Sequence, residues 1–214
     1  MRRAARVTRA LGDTVVVRRA AAPFTPLAAG GDAIWGSGVR CSLGFDVSVS
    51  GAPYFLTAGH CGNDSWNWSG TQGGQEIGQT FDSHFPGTDY ALVQYGDGGA
   101  DPPAPSTSTT AASSRSLRRP TPTSASVQRS GSTTGVHGGT VTGLDATVNY
   151  QAGSVSGLID TDVCAAPGDR GGSLFDGDTA IGLTSGGSGD CTFGGETSFQ
   201  PVTAALAAEG ATIP

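Results

Sequence analysis

Three short segments carry the residue types from which a proton-transfer site could be built. LTAGHC, Leu56 to Cys61, sets His60 beside a cysteine at the end of an apolar run. Imidazole is the side chain that exchanges a proton near neutral pH, although an isolated histidine is more often structural or merely exposed. Asp89 opens the run DYALVQ, and a carboxylate can orient an imidazole and balance its charged form. The third segment is PGDRGGS, Pro167 to Ser173, a glycine-rich turn between apolar runs. Glycine permits tight turns and leaves backbone N–H groups accessible.

The elements that must hold these residues read as strands. RCSLGFDVSVS, residues 40–50, alternates apolar and polar residues, Gly51-Ala52-Pro53 reads as a turn, and Tyr54 to Leu56 opens the partner of a hairpin. Residues 89–94 give another strand. VQRSGSTTG, GGTVTGLDATVNY and GSVSGLIDTDVC give further short strands punctuated by glycine. Residues 62–75 are polar around Trp66 and Trp68. VTAALAAE, Val202 to Glu209, is the one helix expected, with Gly210 as its stop. With 35 glycines and abundant serine and threonine in 214 residues, the chain reads as all-β with many turns.

Every basic residue is an arginine, and six of the twelve lie in the first nineteen positions. From residue 20 onward six arginines face 17 acidic residues, a balance that argues against a nucleic-acid partner. No stretch reaches the roughly 20 apolar residues that span a membrane. The start, residues 1–19, has the charge of a secretion signal without an apolar run of useful length. Four cysteines allow three pairings. Proximity favours Cys41–Cys61 and Cys164–Cys191, each worth roughly 3 kcal/mol on an entropy argument. The spacings hold no paired metal-ligand motif, and an even count without CxxC suits an oxidising compartment.

Taken together, RCSLGF, LTAGHC, TDYALV, QRSGSTTG, TDVCAAPGD, GGSLF, IGLTSGGSGDC and FQPVTAAL resemble the secreted bacterial serine endopeptidases of the streptogrisin family, streptogrisins A and B, from about Gly31 to Pro214. The resemblance implies a chymotrypsin-like fold of two six-stranded antiparallel β-barrels with a short C-terminal helix and a site in the crevice between them. It implies His60 and Asp89 from the first barrel, as general base and orienting carboxylate, and the 168–172 loop from the second. The N–H groups of Gly168 and residue 170 would hold a developing oxyanion. Ala165, Ala166, Pro167, Ser185, Gly186 and Gly187 would wall an apolar specificity pocket. The ligand would be a polypeptide substrate or peptide, the protein a secreted extracellular monomer formed from a zymogen, with no cofactor, no metal and no membrane partner.

One position departs from the family pattern Gly-Asp-Ser-Gly-Gly: here it reads Gly168-Asp169-Arg170-Gly171-Gly172. A guanidinium stays protonated and cannot attack a carbonyl. Ser173 matches the structural serine that follows the motif and is no substitute. Arg170 is expected to pair with Asp89 or to obstruct the site. Asp162, near the specificity pocket, could in a trypsin-like reading hold a basic side chain. His84 and Asp82 match no family motif and are expected at the surface.

The expected division is a pro-segment remnant at residues 1–30, a first barrel at 31–103, an aberrant segment at 104–126, and a second barrel with the helix at 127–214. Residues 97–126 hold no aromatic side chain and one large aliphatic, Leu117. Family members carry strands here with segments like VDLYNG and ADAYVGQ. Residues 106–111 and 120–126 can be coded so that one shifted frame reads those segments, which suggests a compensated frameshift. Three functions follow: an endopeptidase scaffold with a damaged gene, a secreted pseudoprotease that binds peptides, or a decayed product without function.

Overall fold

Alternation of apolar and polar residues turns one face of each strand inward, and this pattern builds two curled sheets. A computed structural model of the chain describes residues 30–96, 116–117 and 125–214. The first sheet contains β1 (Ala33–Trp35), β2 (Arg40–Ser42), β3 (Phe45–Val49), β4 (Ala52–Thr57), β5 (Asn67–Ser69), β6 (Glu76–His84) and β7 (Tyr90–Tyr95). Its order is β15-β3-β4-β7-β6-β5-β1-β2, where β15 is the chain end Ala211–Thr212. The C-terminal residues therefore cross back onto the first half of the molecule, paired with Val49 and Ser48.

The second sheet contains β8 (Ser116–Leu117), β9 (Ser126–Gly131), β10 (Gly135–Tyr150), β11 (Gly153–Thr161), β12 (Ser173–Asp176), β13 (Thr179–Asp190) and β14 (Gly194–Pro201). The order β12-β9-β10-β11-β14-β13, with β12 also paired to β13, closes a ring of six strands. The first sheet remains a half-barrel. The two-sheet, all-β architecture with one C-terminal helix agrees with the family expectation. Ser116 and Leu117 pair in parallel with Thr179 and Ala180; most of the segment at 104–126 lies outside the described residues, as does nearly all of the N-terminal segment at 1–30.

Local chemistry adjusts the expected elements. The hairpin turn is Ser50-Gly51, with φ of 52° and 85°, the two positive values that a tight two-residue hairpin requires. Pro53 belongs to β4 opposite Ser48. It is tolerated there because β4 pairs with β7 only from Tyr54 onward. A short helix absent from the sequence reading, α1 (Gly59–Asp64), follows β4. The expected helix, α2 (Val202–Glu209), ends on Gly210 at φ 59°, whose N–H donates to the Leu206 carbonyl.

Three apolar clusters form the core. One fills the first sheet around Ile34, Leu43, Phe55, Trp68 and Val93. Another fills the ring around Val141, Ile159, Leu174 and Phe199. The third joins the halves: Phe45, Leu56, Tyr90 and Leu92 pack on Leu183 of β13 and on Val202, Ala205 and Leu206 of α2. This shared core fixes the edge of β4–β7 against β13, where the candidate site lies. Cysteines 41 and 61 are bonded, as are 164 and 191, the pairing that proximity favoured.

Candidate active site

His60 is positioned by the abrupt change from β4 to α1. Gly59 has no side chain at a point where a Cβ would overlap the His84 carbonyl oxygen. The neighbouring Cys41–Cys61 bond ties α1 to β2, and Phe85 meets the imidazole edge-on at 5.6 Å.

Asp89, immediately before β7, is fully buried. It accepts the His60 backbone N–H at 2.9 Å, and its two oxygens lie 3.0 and 2.9 Å from His60 Nδ1. An ionised carboxylate only accepts, so Nδ1 carries the proton in this pair and Nε2 is left as the acceptor nitrogen. That Nε2 is buried and has no hydrogen-bond partner among the described residues. Asp89 Oδ2 also accepts the Ser185 hydroxyl at 2.6 Å. Ser185 in turn lies 2.9 Å from the Tyr150 hydroxyl, and the Asp89 N–H donates to Gln200 Oε1 at 2.9 Å. Burial pushes the Tyr150 hydroxyl above its ordinary range, with Ser185 and Arg170 opposing the shift.

The loop 168–172 is held by its acidic residue. Asp169 is fully buried and accepts from Thr133 N–H (2.8 Å), Thr134 N–H (3.1 Å), Thr134 Oγ1 (2.7 Å) and Ala166 N–H (2.9 Å). The fully buried Arg129 stands 3.3 Å away and donates its Nε–H to the Cys164 carbonyl at 3.0 Å. Burial alone would raise the Asp169 carboxyl. The Ala166, Thr134 and Thr133 hydrogen bonds and the Arg129 charge outweigh it and hold the carboxyl below its ordinary value. Burial lowers the Arg129 guanidinium, opposed by Asp169. Gly171, at φ 80°, brings the loop against Thr57 and the Ser42 carbonyl with no room for a Cβ.

The remaining loop contacts fix its backbone. The Gly168 carbonyl accepts from Ser42 Oγ at 2.8 Å and Ser132 Oγ at 3.0 Å. The Arg170 carbonyl accepts from Ser42 N–H at 2.7 Å, and Gly171 N–H donates to Thr184 at 2.8 Å. The N–H groups of Gly168 and Arg170 donate to none of the described residues.

His60, Phe85, Pro86, Tyr150, Ala165 to Pro167, Arg170 and Thr184 to Gly189 line one cleft of about 840 Å³. The six pocket-wall residues expected from sequence all border it. Ser185 does more than form a wall, because its hydroxyl is committed to Asp89. The expected Arg170–Asp89 pairing does not form: His60 and Ser185 already occupy the carboxylate. Arg170 is exposed at the cleft, and its guanidinium makes no hydrogen bond among the described residues. Ser173 is buried in β12 opposite Leu183, away from an attacking role. Asp162 faces Thr140, which donates to it from N–H and Oγ1. It is not among the residues that line the cleft.

His84 and Asp82 are partly exposed but not isolated. His84 Nε2 lies 3.1 Å from Asp82 and 3.5 Å from Glu209 on α2. These three side chains could converge on a cation. The other such grouping contains Cys164 and Cys191, whose sulfurs are joined to each other. Arg129, Asp169, Tyr150 and the second role of Ser185 escaped sequence reasoning. An arginine inside the strand VQRSG was the one available signal.

A family model described as Trypsin matches residues 47–208, a range that contains His60, Asp89 and the 168–172 loop. The chain is 57% identical over 208 residues to streptogrisin-D of Streptomyces griseus, covering 97% of this chain and 53% of that protein. It is 49% identical to streptogrisin-A of the same organism, covering 98% of this chain and 69% of that one. The chain thus spans about half the length of the first relative and about two thirds of the second. Among solved structures, a glutamic acid specific serine protease superposes with a TM-score of 0.80 at 42% identity, covering 87% of this chain and all of that one. Sequence and fold agree, and the chain belongs to the trypsin family of serine proteases, among its streptogrisin-like members.

Proposed function

We propose that this chain is a serine-endopeptidase scaffold that does not cleave peptide bonds. In this reading His60 is the general base, Asp89 orients it, and the Gly168 and Arg170 amides form the oxyanion hole. Arg170 occupies the nucleophile position and leaves the attacking oxygen missing. The observation that carries the reading is His60 Nε2, buried and without a hydrogen-bond partner among the described residues, in a cleft that Arg170 also lines. Its test is hydrolysis of peptide anilides by a sequence-verified sample, with phosphonofluoridate labelling. Neither turnover nor labelling is expected; turnover at ordinary enzymic rates would overturn the reading.

The cleft itself favours one of the alternatives, a secreted peptide-binding pseudoprotease. Its walls, the Asp89 network and the 168–172 loop are intact, so a polypeptide could still lie in it. Two disulfides suit an extracellular setting, and no helix among the described residues is long and apolar enough to cross a membrane. We place a pro-segment remnant at residues 1–30, the two halves at 31–103 and 127–214, and an aberrant, disordered or frame-shifted segment at 104–126. A monomer without metal or cofactor completes the proposal.

A further inference from the structure

We propose that the cleft captures the C-terminal carboxylate of peptides ending in a large apolar residue. The proposal rests on the peptide-binding reading above and names the ligand that this site would take. A hydroxyl at position 170 would suit a neutral carbonyl. A guanidinium there adds a charge and a fork of donors to the cleft floor.

The charges near position 170 can be taken in turn. The Asp89 carboxylate accepts from His60 Nδ1 and the Ser185 hydroxyl, which hold it in place without removing its charge. The Asp169 carboxylate is occupied by Arg129 and by the Thr133, Thr134 and Ala166 donors. Behind the loop lies a second guanidinium: Arg40 Nη1 is 3.2 Å from the place a Cβ on Gly168 would take. Arg40 itself is anchored to Ser132 and Thr133 and lies over Trp35. Among the cleft's own residues, Asp64 is the remaining carboxylate. Arg170 and Arg40 thus put two guanidinium groups at the 168–170 end, with the Asp89 carboxylate held behind the His60 imidazole.

Donors match that charge. The N–H groups of Gly168 and Arg170 have no acceptor among the described residues, and the Arg170 guanidinium has none either. A carboxylate offers two oxygens in a plane, which the guanidinium fork and a pair of backbone amides are suited to bind. Capture of a chain end by such a backbone nest is a known recognition mode. The adjoining walls, Ala165, Ala166, Pro167 and the Tyr150 ring, suit an apolar last side chain. An internal peptide segment has no charge at this point and would leave the guanidinium without a counterion. Free chain ends are therefore preferred over continuous chain.

The test compares two fluorescein-labelled peptides, Ala-Ala-Pro-Phe with a free C-terminal carboxylate and the same peptide as its amide. Binding to the full chain is followed by fluorescence anisotropy. The acid is expected to bind about tenfold to hundredfold tighter than the amide, the range of a charge-assisted hydrogen bond. In Arg170→Gln, an exposed substitution that leaves the loop anchor in place, the two peptides should come within about threefold of each other. Equal affinity of acid and amide for the parent chain would overturn carboxylate capture while leaving peptide binding standing. A preference that survives Arg170→Gln would overturn the role of the guanidinium. Failure of both peptides to bind would overturn the peptide-binding reading together with this proposal.

Discussion

If the proposed reading holds, replacing Arg170 with serine supplies the one atom that the site lacks. The imidazole is already oriented by contacts of 2.9–3.0 Å to Asp89, and among the described residues its buried Nε2 has no hydrogen-bond partner and two amide donors have no acceptor. The base, its carboxylate and the donors thus await only an attacking oxygen. In a comparable site, loss of the nucleophile costs on the order of 10⁶ in kcat, which corresponds to about 8 kcal/mol of transition-state stabilisation. Arg170→Ser should restore a gain of that order. Position 170 is exposed and its guanidinium unbonded, so thermal stability should move by no more than about 0.5 kcal/mol. Initial rates on a peptide anilide with an apolar residue before the scissile bond measure the gain. Phosphonofluoridate titration counts the competent sites. Adding His60→Ala to Arg170→Ser should return the rate to that of the parent chain, which excludes a contaminating protease. A folded Arg170→Ser variant, with unchanged melting and less than about tenfold gain, would refute the claim that nucleophile loss is what silences this site.

Other predictions concern the frame around the site. Asp169→Asn should destabilise the fold by about 3–5 kcal/mol, because it leaves the Arg129 charge buried without its partner; a denaturant midpoint equal to the parent's would contradict this. The Asp169 carboxyl is held below its ordinary value, so its contribution should be full above about pH 4 and fade as pH falls through the lowered pKa. Asp46 shows the opposite sign. Burial pushes its carboxyl up to about 6 from 3.8, opposed by the Tyr95 hydroxyl and reinforced by Asp32. The folded state binds that proton more tightly than the unfolded chain, so this group should cost stability as pH rises from about 4 to about 6. Asp46→Asn should therefore match the parent at pH 3 and exceed it by at most about 3 kcal/mol at pH 7; parallel melting curves across that range would contradict it. In the Arg170→Ser background, Ser185→Ala should lower kcat several-fold with little change in KM, since its hydroxyl holds Asp89 rather than substrate. An equal loss confined to KM would assign Ser185 to substrate binding alone.

The contrast between Asp169 and His60 shows where sequence reading stops. LTAGHC and TDYALV are local patterns, so His60 and Asp89 could be singled out before any fold was known. The hydrogen bonds that join them confirm proximity that no spacing in the chain could supply. Asp169 stood in plain view inside GDRGG, yet its partner is Arg129, forty residues earlier in the chain. Only closure of the ring, with β9 beside β12, brings the two together. The same holds for Glu209, which reaches His84 because α2 packs across the join between the halves.

Alternation, glycine placement and motif order were determined by sequence alone, because strand faces and turns follow from side chains two or three residues apart. So was the arginine at the position where the family pattern has serine, since the identity of residue 170 needs no coordinates. Which charges cancel was decided only by tertiary structure. Asp89 is held by both Ser185 and His60, residues far apart in the chain, and Arg170 forms no ion pair with it. Electrostatic balance is set by distances between residues far apart in the chain, and folding alone fixes those distances.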